Sequence, residues 1–228
     1  MIQEIQKEIR TLADPKKAKT SAWFFKTGPG EYGEGDKFLG LNTPQTRSIS
    51  KKNKDLPLSD IQKLLQSPYH EERSIAIQIL VYQFPKKPKL IYDYYLKNTK
   101  YINNWDLVDI SAPKIVGEYL LDKPQDILFK LVKSDSLWER RIAIISTFAF
   151  IYKGDPKLTL QISKLLLKDK HDLIHKAVGW MLREVGKRCG EKYLTGFLDI
   201  NVKIIPRTTL RYAIERFPEE KRLKYLHA

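Results

Sequence analysis

The feature that most restricts how this chain can fold is its resemblance to itself. His70-Glu71-Glu72-Arg73-Ser74-Ile75-Ala76-Ile77 matches Leu137-Trp138-Glu139-Arg140-Arg141-Ile142-Ala143-Ile144, and a weaker copy runs Asp172-Leu173-Ile174-His175-Lys176-Ala177-Val178-Gly179. The segment from Trp105 to Ala112 fits between the first two. The implied period is about 35 residues, the size of a helix-pair repeat. Such repeats cannot bury their own apolar faces, so they stack into a curved solenoid with a concave side. The expected fold is therefore all-α, a single domain over residues 1–228.

Local signals agree. Leu58, Ile61, Leu64 and Leu65 share a helical stripe, as do Leu158, Ile162, Leu165 and Leu166. Ile75, Ile79 and Val81, with Leu80 and Phe84, form a broader apolar face. Asp14-Pro15, Thr43-Pro44, Ser67-Pro68 and Asp155-Pro156 read as helix starts. In each, a short polar side chain accepts an orphan backbone N–H, and proline occupies the first turn, where its missing N–H costs nothing. There is no Asn-Gly or Asp-Gly turn and no run of strict alternation, so strands are not expected.

Charge narrows the partner. The net formal charge is +14, which favours a polyanion, either nucleic acid or an anionic membrane surface. The longest largely apolar stretch, Ile142 to Tyr152, is about 11 residues, too short to span a bilayer. Cys189 is the only cysteine, which excludes an intramolecular disulfide and suits a reducing compartment. Met1-Ile2-Gln3-Glu4 lacks the basic and apolar regions of a signal peptide. The expected setting is cytoplasmic.

Two motifs invite chemistry and are set aside. Gly28-Pro29-Gly30-Glu31-Tyr32-Gly33-Glu34-Gly35-Asp36 satisfies G-x-G-x-x-G formally. Ala22-Trp23-Phe24-Phe25-Lys26 before it reads as a helix end, not a strand, and Glu31, Glu34 and Asp36 would repel a phosphate. His171 and His175 share a helix face but have no evident third ligand, so neither a metal nor a cofactor is expected.

The informative constellation is Trp105, Asp106 and Asp109, then Trp138, Arg140 and Arg141, then Trp180, Arg183 and Lys187. Trp105 and Asp109 stand four residues apart, Trp138 and Arg141 three, and Trp180 and Arg183 three, each pair on one helix face, with Lys187 one turn beyond Arg183. Equivalent positions of a solenoid line up on one surface. Trp138 reads as a core residue because it occupies a repeat-consensus position.

At these residues the chain resembles the DNA alkylation repair family, the AlkD-like glycosylases built from HEAT-like repeats. The resemblance is carried, over nearly the whole chain, by four motifs in order. They are Phe24-Phe25-Lys26 followed by Phe38-Leu39-Gly40-Leu41-Asn42-Thr43-Pro44-Gln45-Thr46-Arg47, then Asn104-Trp105-Asp106-Leu107-Val108-Asp109, then Trp138-Glu139-Arg140-Arg141-Ile142-Ala143, and finally Lys176-Ala177-Val178-Gly179-Trp180-Met181-Leu182-Arg183-Glu184. It implies a HEAT-like solenoid with a concave basic face. Asp109 would be the catalytic carboxylate, with Trp105 and Trp180 packed against the damaged nucleotide. Arg141 and Arg183 would hold phosphates beside the lesion. Phe24 falls where some relatives carry a tyrosine, so the hydroxyl's hydrogen bond is absent while stacking survives. Arg47, Arg140 and Lys187 complete the expected DNA contacts, and Lys51, Lys52, Arg188, Arg207 and Arg211 are further candidates for the basic wall.

The implied activity is base excision repair of duplex DNA by a monomeric, monofunctional glycosylase acting on N3- or N7-alkylated purines, nucleoid-associated when bound to DNA. The alternatives at this point are a non-catalytic module that binds branched or distorted DNA and a protein-interaction solenoid.

Overall fold

The structure is a computed structural model describing residues 2–227. The chain forms two compact units, Met1–Ser111 and Ala112–Ala228. The first holds α1 (Ile2–Thr11), α2 (Pro15–Phe24), α3 (Thr43–Lys52), α4 (Leu58–Leu65), α5 (His70–Gln83), α6 (Pro88–Lys97) and α7 (Trp105–Ala112). The second holds α8 (Glu118–Leu120), α9 (Asp126–Leu131), α10 (Leu137–Ser146), α11 (Phe148–Tyr152), α12 (Lys157–Leu166), α13 (Asp172–Arg188), α14 (Glu191–Asn201), α15 (Arg207–Ala213) and α16 (Glu219–Leu226). Among the described residues the extended pairing is a single parallel bridge between Lys37 and Tyr69, so the chain is all-α.

The repeat copies read from sequence begin at His70, Trp105, Leu137 and Asp172. These are the first residues of α5, α7, α10 and α13. A shared clasp explains why the chain turns into a helix at three of these points. Ser67 Oγ accepts the Tyr69 N–H at 3.1 Å, and the Ser67 carbonyl accepts Arg73 Nη1 at 2.9 Å. Ser134 Oγ accepts the Ser136 N–H at 3.1 Å, and its carbonyl accepts Arg140 Nη1 at 3.0 Å. Asp169 Oδ1 accepts the His171 N–H at 2.8 Å, and His175 Nε2 donates to the Asp169 carbonyl at 2.6 Å. In each case a short polar side chain satisfies a donor before the helix. A side chain six residues on then ties the helix back to the loop.

The expected stripes become core. Ile61, Leu64 and Leu65 of α4 pack with Ile75, Ile79 and Leu80 of α5, all fully buried. In the second unit α13 is the central helix and packs on α10, α12, α14 and α15. Leu158, Ile162 and Leu166 are buried, while Leu165 is 49% exposed at the edge of its stripe.

The helix starts follow the expectation in part. Asp14 caps α2 through Lys16 and Lys17 N–H, and Asp155 Oδ1 accepts the Lys157 N–H at α12. At α3 the cap is Asn42, one residue earlier than expected, in a reciprocal capping box with Gln45. Ser67-Pro68 lies ahead of α5, in the clasp, and Tyr69 takes the capping position.

Candidate functional site

The first unit builds its site on four consecutive ionisable residues at the start of α5. His70, Glu71, Glu72 and Arg73 are all buried, at 3%, 3%, 0% and 4% exposure. A buried charge needs a compensating partner: His70, Glu72 and Arg73 each meet an opposite charge, and Glu71 is held by backbone N–H groups. Glu71 accepts the backbone N–H groups of Leu39, Gly40 and Leu41, the closest at 2.7 Å. Gly40 has φ +87, and an added Cβ would lie 2.1 Å from the Asp14 carbonyl oxygen. The Phe38-Leu39-Gly40-Leu41 motif is thus a tight bend, gripped by Glu71 and pressed on α2. Glu72 accepts Arg10 Nη1 at 2.6 Å and Gln6 Nε2 at 3.1 Å.

His70 is the hub. Its Nε2 lies 2.8 Å from Asp106 Oδ2 on α7, and its Nδ1 lies 3.4 Å from Asp36 Oδ2 at the end of the glycine-rich loop. Asp36 also meets Arg73 Nη2 at 2.6 Å and Asn104 Nδ2 at 3.3 Å. Burial by itself pushes the imidazole down. The charge of Asp106 and the hydrogen bonds to Asp106 and Asp36 outweigh it, against the opposing charge of Arg73, and the pKa rises to about 9. His70 is therefore an imidazolium at neutral pH. Burial would raise the Asp36 carboxyl, but the His70 hydrogen bond and the Arg73 and His70 charges hold it below its usual value. The other two loop acids serve their own turns, with Glu31 accepting the Gly28 N–H and Glu34 the Gly30 N–H, both at 2.9 Å.

Above this charged chain sits an aromatic cluster. Phe25 stacks on Trp105, with centroids 5.3 Å apart and planes at 15°, and on Phe38 at 5.0 Å. Phe38 stacks in turn on His70 at 4.8 Å. Phe24, 54% exposed, meets Trp105 edge-on at 6.0 Å. Trp105 is thus held in place from the ring side by Phe25. It is held from the helix side by Asp106–His70 and by Asn104, whose Oδ1 accepts the Trp105 N–H at 2.8 Å. Asp109 lies one turn further along α7 and is half-buried. Its negative charge reaches the buried Tyr95 phenol, whose pKa is raised first by burial and further by Asp109, against the hydrogen bond with Ser111. Arg47 is exposed on α3.

In the second unit Trp180 and Arg183 lie on α13. An added Cβ at Gly179 would come within 2.5 Å of Tyr212 Cβ and 2.6 Å of the Thr209 carbonyl, so glycine there lets α13 lie close on α15. Trp180 is half-buried with its ring 5.7 Å from Phe148. Arg183 pairs with Glu215 and lies 3.8 Å from Glu184, while Glu184 also takes Arg188 Nε at 2.9 Å. Arg183 and exposed Lys187 line a cleft of about 220 Å³ with Arg216, Glu191 and Phe217.

Two expected DNA contacts are drawn into the protein instead. Arg140 binds Asp169 at 2.6 Å and the carbonyls of Ser134 and Asp135. Arg141 is 5% exposed and donates to the Leu173 carbonyl at 2.6 Å. Trp138, read as core, is half-buried. Among the wall candidates, Arg188 lies over the Tyr152 ring at 4.3 Å, Arg207 donates to the Leu226 carbonyl, and Lys52 pairs with Glu8. His171 Nδ1 accepts the Leu173 N–H, and His175 closes the third clasp, so both histidines serve the start of α13.

The roles of His70 and Asp36 and the stacking of Phe25 and Phe38 arise from long-range contacts that no local motif records. The available signal was the run of four ionisable residues where an amphipathic helix would place one or two apolar ones. No helix among the described residues is long and apolar enough to cross a membrane.

A search of curated proteins finds no match. Among solved structures, a predicted DNA alkylation repair enzyme from Enterococcus faecalis is similar in fold, with a TM-score of 0.71 over 91% of this chain and 97% of that one, at 16% identity. The model of the family described as DNA alkylation repair enzyme matches residues 5–217. With the match running from within α1 to just beyond α15, this chain belongs to the DNA alkylation repair enzyme family.

Proposed function

We propose that this protein is a monofunctional DNA glycosylase that hydrolyses the N-glycosidic bond of cationic N3- or N7-alkylated purines in duplex DNA. The observation that carries this reading is the first turn of α7. There Trp105 is locked by Phe25 and by the Asp106–His70 bridge, and half-buried Asp109 follows one turn later on the same helix.

The chemistry needs little more from the protein. An N3- or N7-alkylated purine is already positively charged, so it leaves without a general acid. Departure makes the sugar oxocarbenium-like. A carboxylate near C1′ stabilises that cation and orients the attacking water. Asp109 takes this role. Water adds to C1′, its proton passes to the carboxylate or to solvent, and the base departs as a neutral species with the bonding electron pair. Indole faces favour positive charge by about 0.5–2 kcal/mol each, so Trp105 and Trp180 assist while Asp109 supplies the larger share. Phe24, Arg47, Arg183 and Lys187 are assigned to DNA contact. Arg140 and Arg141 act through the helices they hold. Backbone contacts of this kind carry no sequence preference, as damage repair requires.

The test is base release from duplex DNA containing 7-methylguanine. Wild type releases the base, and Asp109→Asn lowers the single-turnover rate by at least about 100-fold. Equal release by both, or none above background by wild type, removes the catalytic assignment. Tight binding of branched DNA without release points to a non-catalytic module.

A further inference from the structure

Helix α2 is unlike the other long helices of the chain, because none of its residues is buried. Lys16, Lys19 and Trp23 stand three and four residues apart and so share one face. Both lysines are exposed and, among the described residues, neither has a carboxylate partner. Lys17, on another face, is the one that pairs with Asp14. Trp23 is 73% exposed, and Lys26 places its ammonium 5.4 Å from the indole centroid. An indole carries one of the largest apolar areas of any side chain, so leaving it in water is a costly placement. Lysines on either side exclude an apolar partner and favour a polyanion that also offers flat or apolar surface. Duplex DNA offers both, as phosphates and as deoxyribose edges.

The position of the face identifies which DNA. Phe24, the residue after Trp23, meets Trp105 edge-on at 6.0 Å. The exposed face therefore runs directly into the candidate site. From Lys16 to Trp23 the helix rises about 10 Å, close to three nucleotide steps of about 3.4 Å along one strand. We propose that the Lys16–Lys19–Trp23 face of α2, extended by Lys26, grips duplex DNA beside the lesion. The lysines sit on neighbouring phosphates and the indole packs against deoxyribose. This inference rests on the DNA-binding part of the reading above but not on its chemistry.

The test measures binding of a short labelled, undamaged duplex by fluorescence anisotropy over a range of salt concentrations. Wild type, Lys16→Ala/Lys19→Ala, Trp23→Ala and a control pair from the second unit, Lys153→Ala/Lys157→Ala, are compared at matched melting temperature. The α2 lysine variant should flatten the log–log salt slope by about 1.8 and weaken binding by about 10–100-fold. Trp23→Ala should weaken binding several-fold with the slope unchanged, and Trp23→Phe should recover part of that loss. Wild-type affinity and slope in both α2 variants, or an equal loss in the control pair, would overturn the proposal while leaving DNA binding intact. No duplex binding by wild type overturns both. Vesicles of equal parts phosphatidylserine and phosphatidylcholine form the second arm. If the α2 variants lose vesicle binding but keep duplex affinity, the face belongs to a membrane and the proposal fails. Absence of base release with the α2 effects present leaves this contact standing and removes only the glycosylase chemistry.

Discussion

The starts of α5 and α10 are two copies of one device put to different use. Ser67 with Arg73 and Ser134 with Arg140 make the same loop-to-helix clasp, with matching bonds within about 0.1 Å. Each arginine then adds a carboxylate at 2.6 Å, Asp36 for Arg73 and Asp169 for Arg140. A difference that bears on the candidate site lies three residues earlier. Position 137 is Leu, and the second copy remains a pin that holds α10. Position 70 is His, which links Asp36 to Asp106 on α7 and so ties the clasp to the helix that carries Trp105 and Asp109. His70 in place of Leu137, together with Glu71 in place of Trp138, thus separates a structural joint from a support for the candidate site.

The largest contrast should come from the arginines. The Arg73 and Asp36 side chains are 5% and 4% exposed, and those of Arg140 and Asp169 are 18% and 6%. Removing one partner of a buried pair leaves a charge uncompensated, at about 3–5 kcal/mol. Arg73→Met should fall in that range, while Arg140→Met, with water nearer, should cost about 2 kcal/mol. Urea unfolding of both variants measures this directly, and equal losses would dissolve the distinction.

Next in size is the pH response of the histidine that only the first copy has. His70 is raised from 6.5 to about 9 in the fold. A group whose folded pKa is raised contributes its stability fully below the unfolded value and loses it as pH climbs through the folded one. Wild type should therefore lose up to about 3 kcal/mol between pH 6.5 and about 9. His70→Gln should be less stable at the acid end and should lack that slope. Parallel pH profiles for the two proteins would show that the imidazolium is not the hub of the first copy.

The smallest effect is a similarity. Ser67→Ala removes one cap-like bond and should cost about 1 kcal/mol, while Ser134→Ala removes the matching bond and also the one its hydroxyl donates to Glu139. Because the shared N–H bond has the same local geometry, the Ser134 loss should exceed the Ser67 loss only by that extra bond, about 1 kcal/mol. A Ser67 effect several times larger would mean that the clasp itself, rather than residue 70, separates the two copies.

Much of the architecture was readable along the chain. Apolar residues at helical spacing, the capping signals at Asp14 and Asp155, and a recurring eight-residue pattern located the helices and placed four repeat starts on helix N-termini. The Trp105 to Asp109 segment was legible as a helix with its candidate residues on one face. These are local properties, set by contacts three or four residues apart. Sequence could not tell which charges face inward. Arg140 and Arg141 resembled surface cations, yet both bind within the second unit. Glu71 and Glu72 resembled an ordinary acidic first turn, yet Glu71 grips backbone some 30 residues away and Glu72 binds Arg10, 62 residues away. His70 reaches Asp36 and Asp106 across 34 and 36 residues. A buried charge is stable only where distant groups converge on it, and no local pattern records that convergence. The sequence by itself determined where the helices run and which face carries the candidate chemistry. The tertiary structure decided which ionisable residues support that face from within and which, such as Lys16 and Lys19, remain exposed, because burial depends on groups distant in sequence.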